Sequence, residues 1–149
     1  MATFATINNV LEYEPQIRDY GIFDFDDALS KAQADVERHL RIDWWPTLQV
    51  GKFDITVIGL NVEMNADKLQ ASQLTRATVY RALAYYIFPQ LSRFEPEQDV
   101  FMMKMEYYRE QWREEIDAVI KDGVEYDLDS DGTITDLEKE PTYFGRLRR

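Results

Sequence analysis

The chain lacks cysteine entirely, has a single histidine and is poor in basic residues. Its 149 residues include 17 Lys and Arg against 28 Asp and Glu, for a formal net charge of −11. The missing cysteines exclude disulfides, zinc–thiolate sites and thiol nucleophiles. The acidic balance argues against a nucleic-acid binder that neutralises phosphates. It is compatible with a protein that surrounds DNA without gripping it, since acidic walls repel the phosphates.

Long apolar runs are missing as well. No stretch approaches the roughly 18 uninterrupted apolar residues of a membrane span. The first residues show no basic region followed by an apolar run, so no signal peptide is expected. Hydrophobic residues still make up 45% of the chain and aromatic residues 13%. We therefore expect one folded, soluble domain.

Apolar residues recur at helical spacing in three long segments, which predicts a mainly α protein built as a helical bundle. The segments are 24–43, 66–91, and the stretch from Pro96 to Gly123. Acidic residues at the start of the first and third segments favour the positive end of a helix dipole. The second segment is apolar nearly all round, which is typical of a central, buried helix. A weaker pattern predicts a short helix within 6–20.

Two segments fall outside this periodicity. Residues 47–64 are β-prone and predict a hairpin or ordered loop, with Gly51 and Lys52 placed for a tight turn between Val50 and Phe53. Pro46 is expected to bias Trp45 away from helical dihedral angles and so to end the first helix. Residues 124–149 predict an extended arm outside the core, so the expected division is a body, 1–123, and an arm, 124–149.

The arm carries charges of both signs. Residues 121–140 contain eight acids and two lysines, whereas the last residues are basic and aromatic. Such a tail suits docking on an acidic or apolar partner surface. The residues concerned are Tyr143, Phe144, Arg146, Leu147, Arg148 and Arg149.

A twelve-residue stretch from Asp127 to Glu138 matches the calcium-loop pattern at every ligand position. Carboxylates at alternate positions can converge on one hard cation, and Gly132 permits the sharp turn between them. The expected ligands are Asp127, Asp129, Asp131, Thr133 through its carbonyl, Thr135 through water, and Glu138. The flanking sequence does not fit an EF-hand, because Gly123 and Pro141 interrupt the positions of its two helices. An acidic turn that fits the pattern by chance is the alternative.

No catalytic constellation is present, and an enzyme is not expected. The one histidine, His39, lies on the apolar side of the first helix, where a half-buried structural role is more common than catalysis. A carboxylate-bridged di-iron bundle needs two Glu-x-x-His elements, which one histidine cannot supply. Nucleophile-elbow, Walker A and dinucleotide-binding glycine patterns are also missing.

The order of elements resembles the head–tail connector, or adaptor, proteins of tailed bacteriophages. The resemblance covers residues 3–135 and rests on pattern. It joins an acid-capped helix, DFDDALSKAQADVERHL, to a β-prone insert and a helix rich in small residues, ASQLTRATVYRALAYYIFPQL. A last helix follows, DVFMMKMEYYREQWREEIDAVIKDGVEYDLDSDG.

The resemblance implies a structural virion protein at the head–tail junction, assembled in the host cytoplasm. Such adaptors form a dodecameric ring beneath the portal, around the channel through which DNA passes without specific binding. A C-terminal extension, here 124–149, commonly contacts the portal protein. Loops between helices, here 47–64, face the next neck or tail-completion protein. A calcium loop is not implied, and a stand-alone calcium-binding module is the alternative function.

Overall fold

The fold is a mainly α helical bundle, as the sequence predicts. The computed structural model describes residues 2–22, 24–46, 63–93, 97 and 99–139. Its α-helices are α1 (Ile7–Tyr13), α2 (Phe25–Asp43), α3 (Ala71–Ala82), α4 (Val100–Asp122) and α5 (Asp136–Lys139). Short 3-10 turns occupy Ile17–Tyr20, Ala66–Lys68 and Phe88–Gln90, and a π-helical turn occupies Leu83–Ile87.

Helix α2 begins and ends close to its predicted bounds. The Asp24 carboxylate accepts a hydrogen bond from Asp27 N at 3.1 Å, which caps the first turn. The apolar residues of the stripe are buried: Phe25, Ala28, Leu29, Ala32, Val36 and Leu40. The expectation for Trp45 is wrong, because Trp45 and Pro46 are helical again after a turn at Trp44. A proline is tolerated in the first turn of a helix, where its missing N–H has no partner to lose.

Helix α3 is the central element, but it is shorter than the predicted 66–91. It packs against α1, α2 and α4, and it buries Leu74, Ala77, Thr78, Val79 and Ala82. Asn65 does cap a turn, since its side chain accepts from Asp67 N at 3.0 Å. That turn is only the 3-10 helix Ala66–Lys68, and the chain is extended at Leu69 before α3 begins. The helical path then widens into the π turn and ends around Pro89.

Helix α4 begins after an acidic residue and ends at Gly123, as the sequence predicts. Asp99 accepts hydrogen bonds from Phe101 N and Met102 N, at 3.0 and 3.2 Å. Gly123 ends the helix at φ +107, a conformation that L side chains rarely adopt. The core side of α4 is formed by Met105, Tyr108, Trp112, Ile116 and Val119.

Two carboxylates of low exposure, those of Glu14 and Asp35, make polar contacts with neighbouring helices. Glu14, after α1, accepts from Lys104 Nζ at 2.8 Å and from the Tyr108 hydroxyl at 2.9 Å. Burial, together with this carboxylate, raises the pKa of Tyr108. Asp35 pairs with Arg81 Nε at 2.9 Å, and the Tyr86 hydroxyl donates to the same carboxylate. These paired charges are satisfied by neighbouring helices, which suits a structural role.

The core also includes residues that the sequence places in an arm. Val124 and Tyr126 are 1% and 3% exposed, and both belong to the core cluster that includes Trp44, Trp45 and Leu69. The expectation that residues 124–149 contribute nothing to the core is therefore wrong at its first residues. The predicted hairpin, 47–64, lies outside the described residues apart from Glu63 and buried Met64.

Within the described ranges, no helix combines the length and the apolar character that crossing a membrane requires.

We expect Leu83→Ala to lower the free energy of unfolding by about 2–5 kcal/mol, because it leaves a cavity in the core. Leu83 is fully buried in the π turn. Ile42→Ala is the control, since Ile42 is 64% exposed and its truncation leaves no cavity. Urea denaturation followed by circular dichroism gives both values. Equal effects of the two substitutions would contradict the described core.

Candidate metal centre

The acidic loop, residues 127–138, follows directly from a short backbone pairing with the start of α3. Leu69 and Tyr126 form an isolated antiparallel bridge. On either side of it, Gln70 N donates to Glu125 O and Asp127 N donates to Lys68 O, both at 3.0 Å. The loop therefore begins at a fixed point on the body.

Side chains strengthen this attachment. The Gln73 amide donates to Gly123 O and accepts from Glu125 N, both at 2.8 Å. The Tyr126 hydroxyl accepts from Asn65 N at 3.2 Å. Lys68 Nζ donates to Leu128 O at 3.4 Å. Both ends of residues 123–128 are thus held by α3 or by the turn before it.

The three predicted aspartate ligands come together. Asp127, Asp129 and Asp131 each offer a carboxylate oxygen, and these oxygens lie within 4.8 Å of one another. The loop turns through Ser130 at φ +63 and Gly132 at φ +83. Backbone amides of Asp131, Gly132 and Thr133 donate to aspartate side chains at 3.2, 3.0 and 2.7 Å. Asp127 Oδ1 is buried and has no hydrogen-bond partner among the described residues.

Glu138 does not join the aspartate group. Its Oε1 accepts from Leu128 N at 2.8 Å, and its Oε2 accepts from Thr135 N at 2.8 Å. The Thr135 hydroxyl also donates to Oε2, at 3.0 Å. Glu138 therefore closes the loop from the inside, and it is only 8% exposed. Thr133, which is predicted to act through its carbonyl, is exposed.

The pKa values of two loop acids, Asp129 and Glu138, are shifted in opposite directions. Hydrogen bonds from Thr135 and from the Leu128 and Asp129 amides lower the pKa of Glu138, outweighing its burial. A hydrogen bond from Asp131 N acts to lower the pKa of Asp129. Burial and the charges of Asp131 and Glu138 outweigh that bond, so the net shift of the Asp129 pKa is upward. Repulsion among these acids is what a bound cation relieves.

The end of the loop folds back onto the end of α4. Lys139 Nζ lies 3.4 Å from Asp122 Oδ2 and 3.2 Å from Glu125 Oε1. A Cβ atom added at Gly123 would lie 1.9 Å from the Lys139 carbonyl oxygen. Helix α5, which Thr135 caps, therefore ends where α4 ends.

The chemistry of this arrangement suits a hard cation. Calcium takes carboxylate and carbonyl oxygens at 2.3–2.6 Å, and three carboxylate oxygens within 4.8 Å can share one such ion. Glu138 could supply two further oxygens only by giving up its amide partners. Asp127, Asp129 and Asp131 are therefore the residues already placed to hold calcium.

Two further groups of residues are predicted sites, in addition to the acidic loop. The tail residues, Tyr143 to Arg149, and the loop residues, Val50 to Phe53, lie outside the described residues. His39 is half-buried on α2, where Nε2 lies 3.0 Å from Asp43 Oδ2. Its ring meets the Trp112 ring edge-on, with centroids 5.7 Å apart. This matches the structural role that its sequence position indicates.

The attachment of the loop to the body was not predicted from the sequence. The alternation of buried Val124, half-buried Glu125 and buried Tyr126 is a strand-like signal that points to it. Nothing in the spacing of residues indicates that Gln73 or Lys68 would be the partners.

No family model, curated protein or solved structure matches this chain.

We expect Gly123→Ala to destabilise the fold by at least about 1 kcal/mol more than Gly21→Ala. Both glycines have positive φ, which costs an alanine roughly 1–2 kcal/mol. At Gly123 the methyl also collides with Lys139, whereas a Cβ at Gly21 meets nothing within 4 Å. Urea denaturation measures both variants. Equal losses would show that α5 does not pack against the end of α4.

Proposed function

We propose that this chain is a head–tail adaptor of a tailed bacteriophage, a structural virion protein without enzymatic activity. Its copies form a ring between the portal and the next neck protein, around the DNA channel. The observation that carries the proposal is the order of elements. An acid-capped helix, α2, a central helix rich in small residues, α3, and a long last helix, α4, make one body. In the sequence, the β-prone insert lies between α2 and α3, and the basic and aromatic tail comes last.

The chemistry of the body supports a structural role over catalysis. Asp35 pairs with Arg81 and Glu14 pairs with Lys104, and both ion pairs link different elements of the body. The net charge of −11 suits a channel that DNA passes without sticking. Exposed apolar residues on α4, among them Met103 and Tyr107, are a second feature of a subunit that assembles with others.

In this proposal, the basic and aromatic tail contacts the portal. We expect the purified chain, mixed with the portal protein encoded beside it, to form a ring that native mass spectrometry detects as one complex. Deletion of 140–149 should abolish that complex and leave the helical circular dichroism spectrum unchanged. Arg18→Ala/Arg41→Ala is the control, because it removes basic residues at exposed positions of the body.

The contrary result is a chain that never joins a portal complex. A genome with no portal or capsid gene near this one would also count against the adaptor proposal.

Calcium binding is a second candidate function, favoured by the three converging aspartates and the buried, unpaired Asp127 Oδ1. A single Ca²⁺ here would offset two of the three negative charges of the cluster and stiffen the segment between Tyr126 and α5. It would act as a structural clip. A sensor loop needs two full helices whose angle can change, whereas α5 is four residues long in the described part.

We expect isothermal calorimetry to detect one Ca²⁺ per chain, and Asp129→Asn to weaken that binding by at least about tenfold through the loss of a ligand charge. Asp136→Asn is the matched control, because Asp136 is an exposed acid of the same loop outside the ligand positions. Terbium luminescence provides a second readout. Indifference of the wild-type chain to Ca²⁺ and Tb³⁺ would rule the site out and leave the adaptor proposal intact.

A further inference from the structure

One side of α4 faces away from the core and is apolar at one end and acidic at the other. Val100, Met103 and Tyr107 are 60%, 68% and 57% exposed. Glu110 and Glu114 continue the same line, and both are exposed. Spacings of three and four residues place all five on one helix face, which we name the outer face of α4.

The outer face offers both apolar area and unneutralised charge. Exposed hydrophobic residues scattered singly are ordinary, but a contiguous row of them marks an interaction surface. No ion pair to Glu110 or Glu114 occurs among the described residues. A partner that matches this face must therefore carry apolar groups followed by basic groups, in that order along the helix.

The tail of the chain carries apolar residues followed by basic residues, which is the order required. Tyr143 and Phe144 come first, and Arg146, Arg148 and Arg149 follow. An extended chain from Tyr143 to Arg149 spans at most about 20 Å. From Met103 to Glu114 the helix rises about 16 Å. A tail lying parallel to α4 thus brings its aromatic rings to the apolar residues and its arginines to the glutamates.

A tail cannot make this contact with its own chain. Lys139 is held at the Gly123 end of α4, and Met103 lies about 30 Å along the helix from that end. Phe144 is five residues past Lys139, so it reaches at most about 18 Å from it. The aromatic residues of the tail can therefore meet Met103 only on another copy.

We infer that the tail of one copy, residues 143–149, docks on the outer face of α4 of a second copy. Because the two surfaces differ, the contact can be exchanged between two copies or repeated head-to-tail from copy to copy, which builds a ring or a filament. The inference goes beyond the proposed portal contact. A portal and a second copy would compete for the same tail, so the test uses this chain alone.

The absence of cysteine allows a clean cross-linking test. We expect a Met103→Cys chain mixed with a Phe144→Cys chain to form a disulfide-linked heterodimer on mild oxidation, identified by ¹⁵N labelling of one partner and mass spectrometry. A Ser30→Cys chain, altered at an exposed position of α2, is the control partner for Phe144→Cys. The Met103 pair should react at least about tenfold faster. Equal rates, or no heterodimer, would overturn the inference.

Sedimentation velocity gives an independent readout. Self-association should rise with concentration and be lost in Glu110→Lys/Glu114→Lys, which repels the arginines of the tail. Adding Arg146→Glu and Arg148→Glu to that variant should restore it. Glu12→Lys/Asp19→Lys, with the same change in net charge at exposed positions elsewhere, should leave it unchanged.

A wild-type chain that stays monomeric at all concentrations would overturn the inference, as would association that survives deletion of 140–149. Either result leaves the adaptor proposal standing if the chain still joins a portal ring. Conversely, a chain that associates through its tail but does not bind the portal would support the inference and contradict the adaptor proposal.

Discussion

After Gly123 the chain turns back and pairs with the residues just before α3. The rest of the C-terminal structure depends on this pairing. The Leu69–Tyr126 bridge and the hydrogen bonds beside it fix the chain against the start of α3. The acidic loop therefore starts from a rigid point, and α5 is brought back to the end of α4. The position of Lys139 then limits how far the tail can reach. Without this return, the tail could contact any surface of its own body.

The body itself depends on the burial of α3. This central helix contacts α1, α2 and α4, so its apolar residues hold the other helices of the described fold together. The ion pairs of Glu14 and Asp35 cross between helices at the margins of that core. Buried ion pairs add little net stability, because desolvation offsets their attraction. Here Asp35 of α2 is joined to Arg81 of α3, and Glu14 is joined to Lys104 of α4.

Sequence periodicity predicts the helices, but it does not predict how the segments between and after them attach to the body. The stripes of α2 and α4 and the stop at Gly123 were readable, because helical spacing and caps are local signals. The sequence wrongly predicts helix for the extended residues before α3, because a pairing with Tyr126 is non-local and carries almost no periodicity. The ligand spacing correctly predicted that three aspartates come together. It gave no indication that Glu138 would turn to the loop amides, since that choice is made by hydrogen-bond geometry.

In the proposed adaptor, contacts with other chains are made by the outer face of α4 and by the tail, while the acidic loop fixes where the tail begins. Cryo-electron microscopy of the full chain assembled with its portal tests this arrangement most directly. We expect a ring in which residues 143–149 of every copy leave their own body and end on another protein chain. Tails that pack on their own helices, or particles that contain no ring, would contradict it.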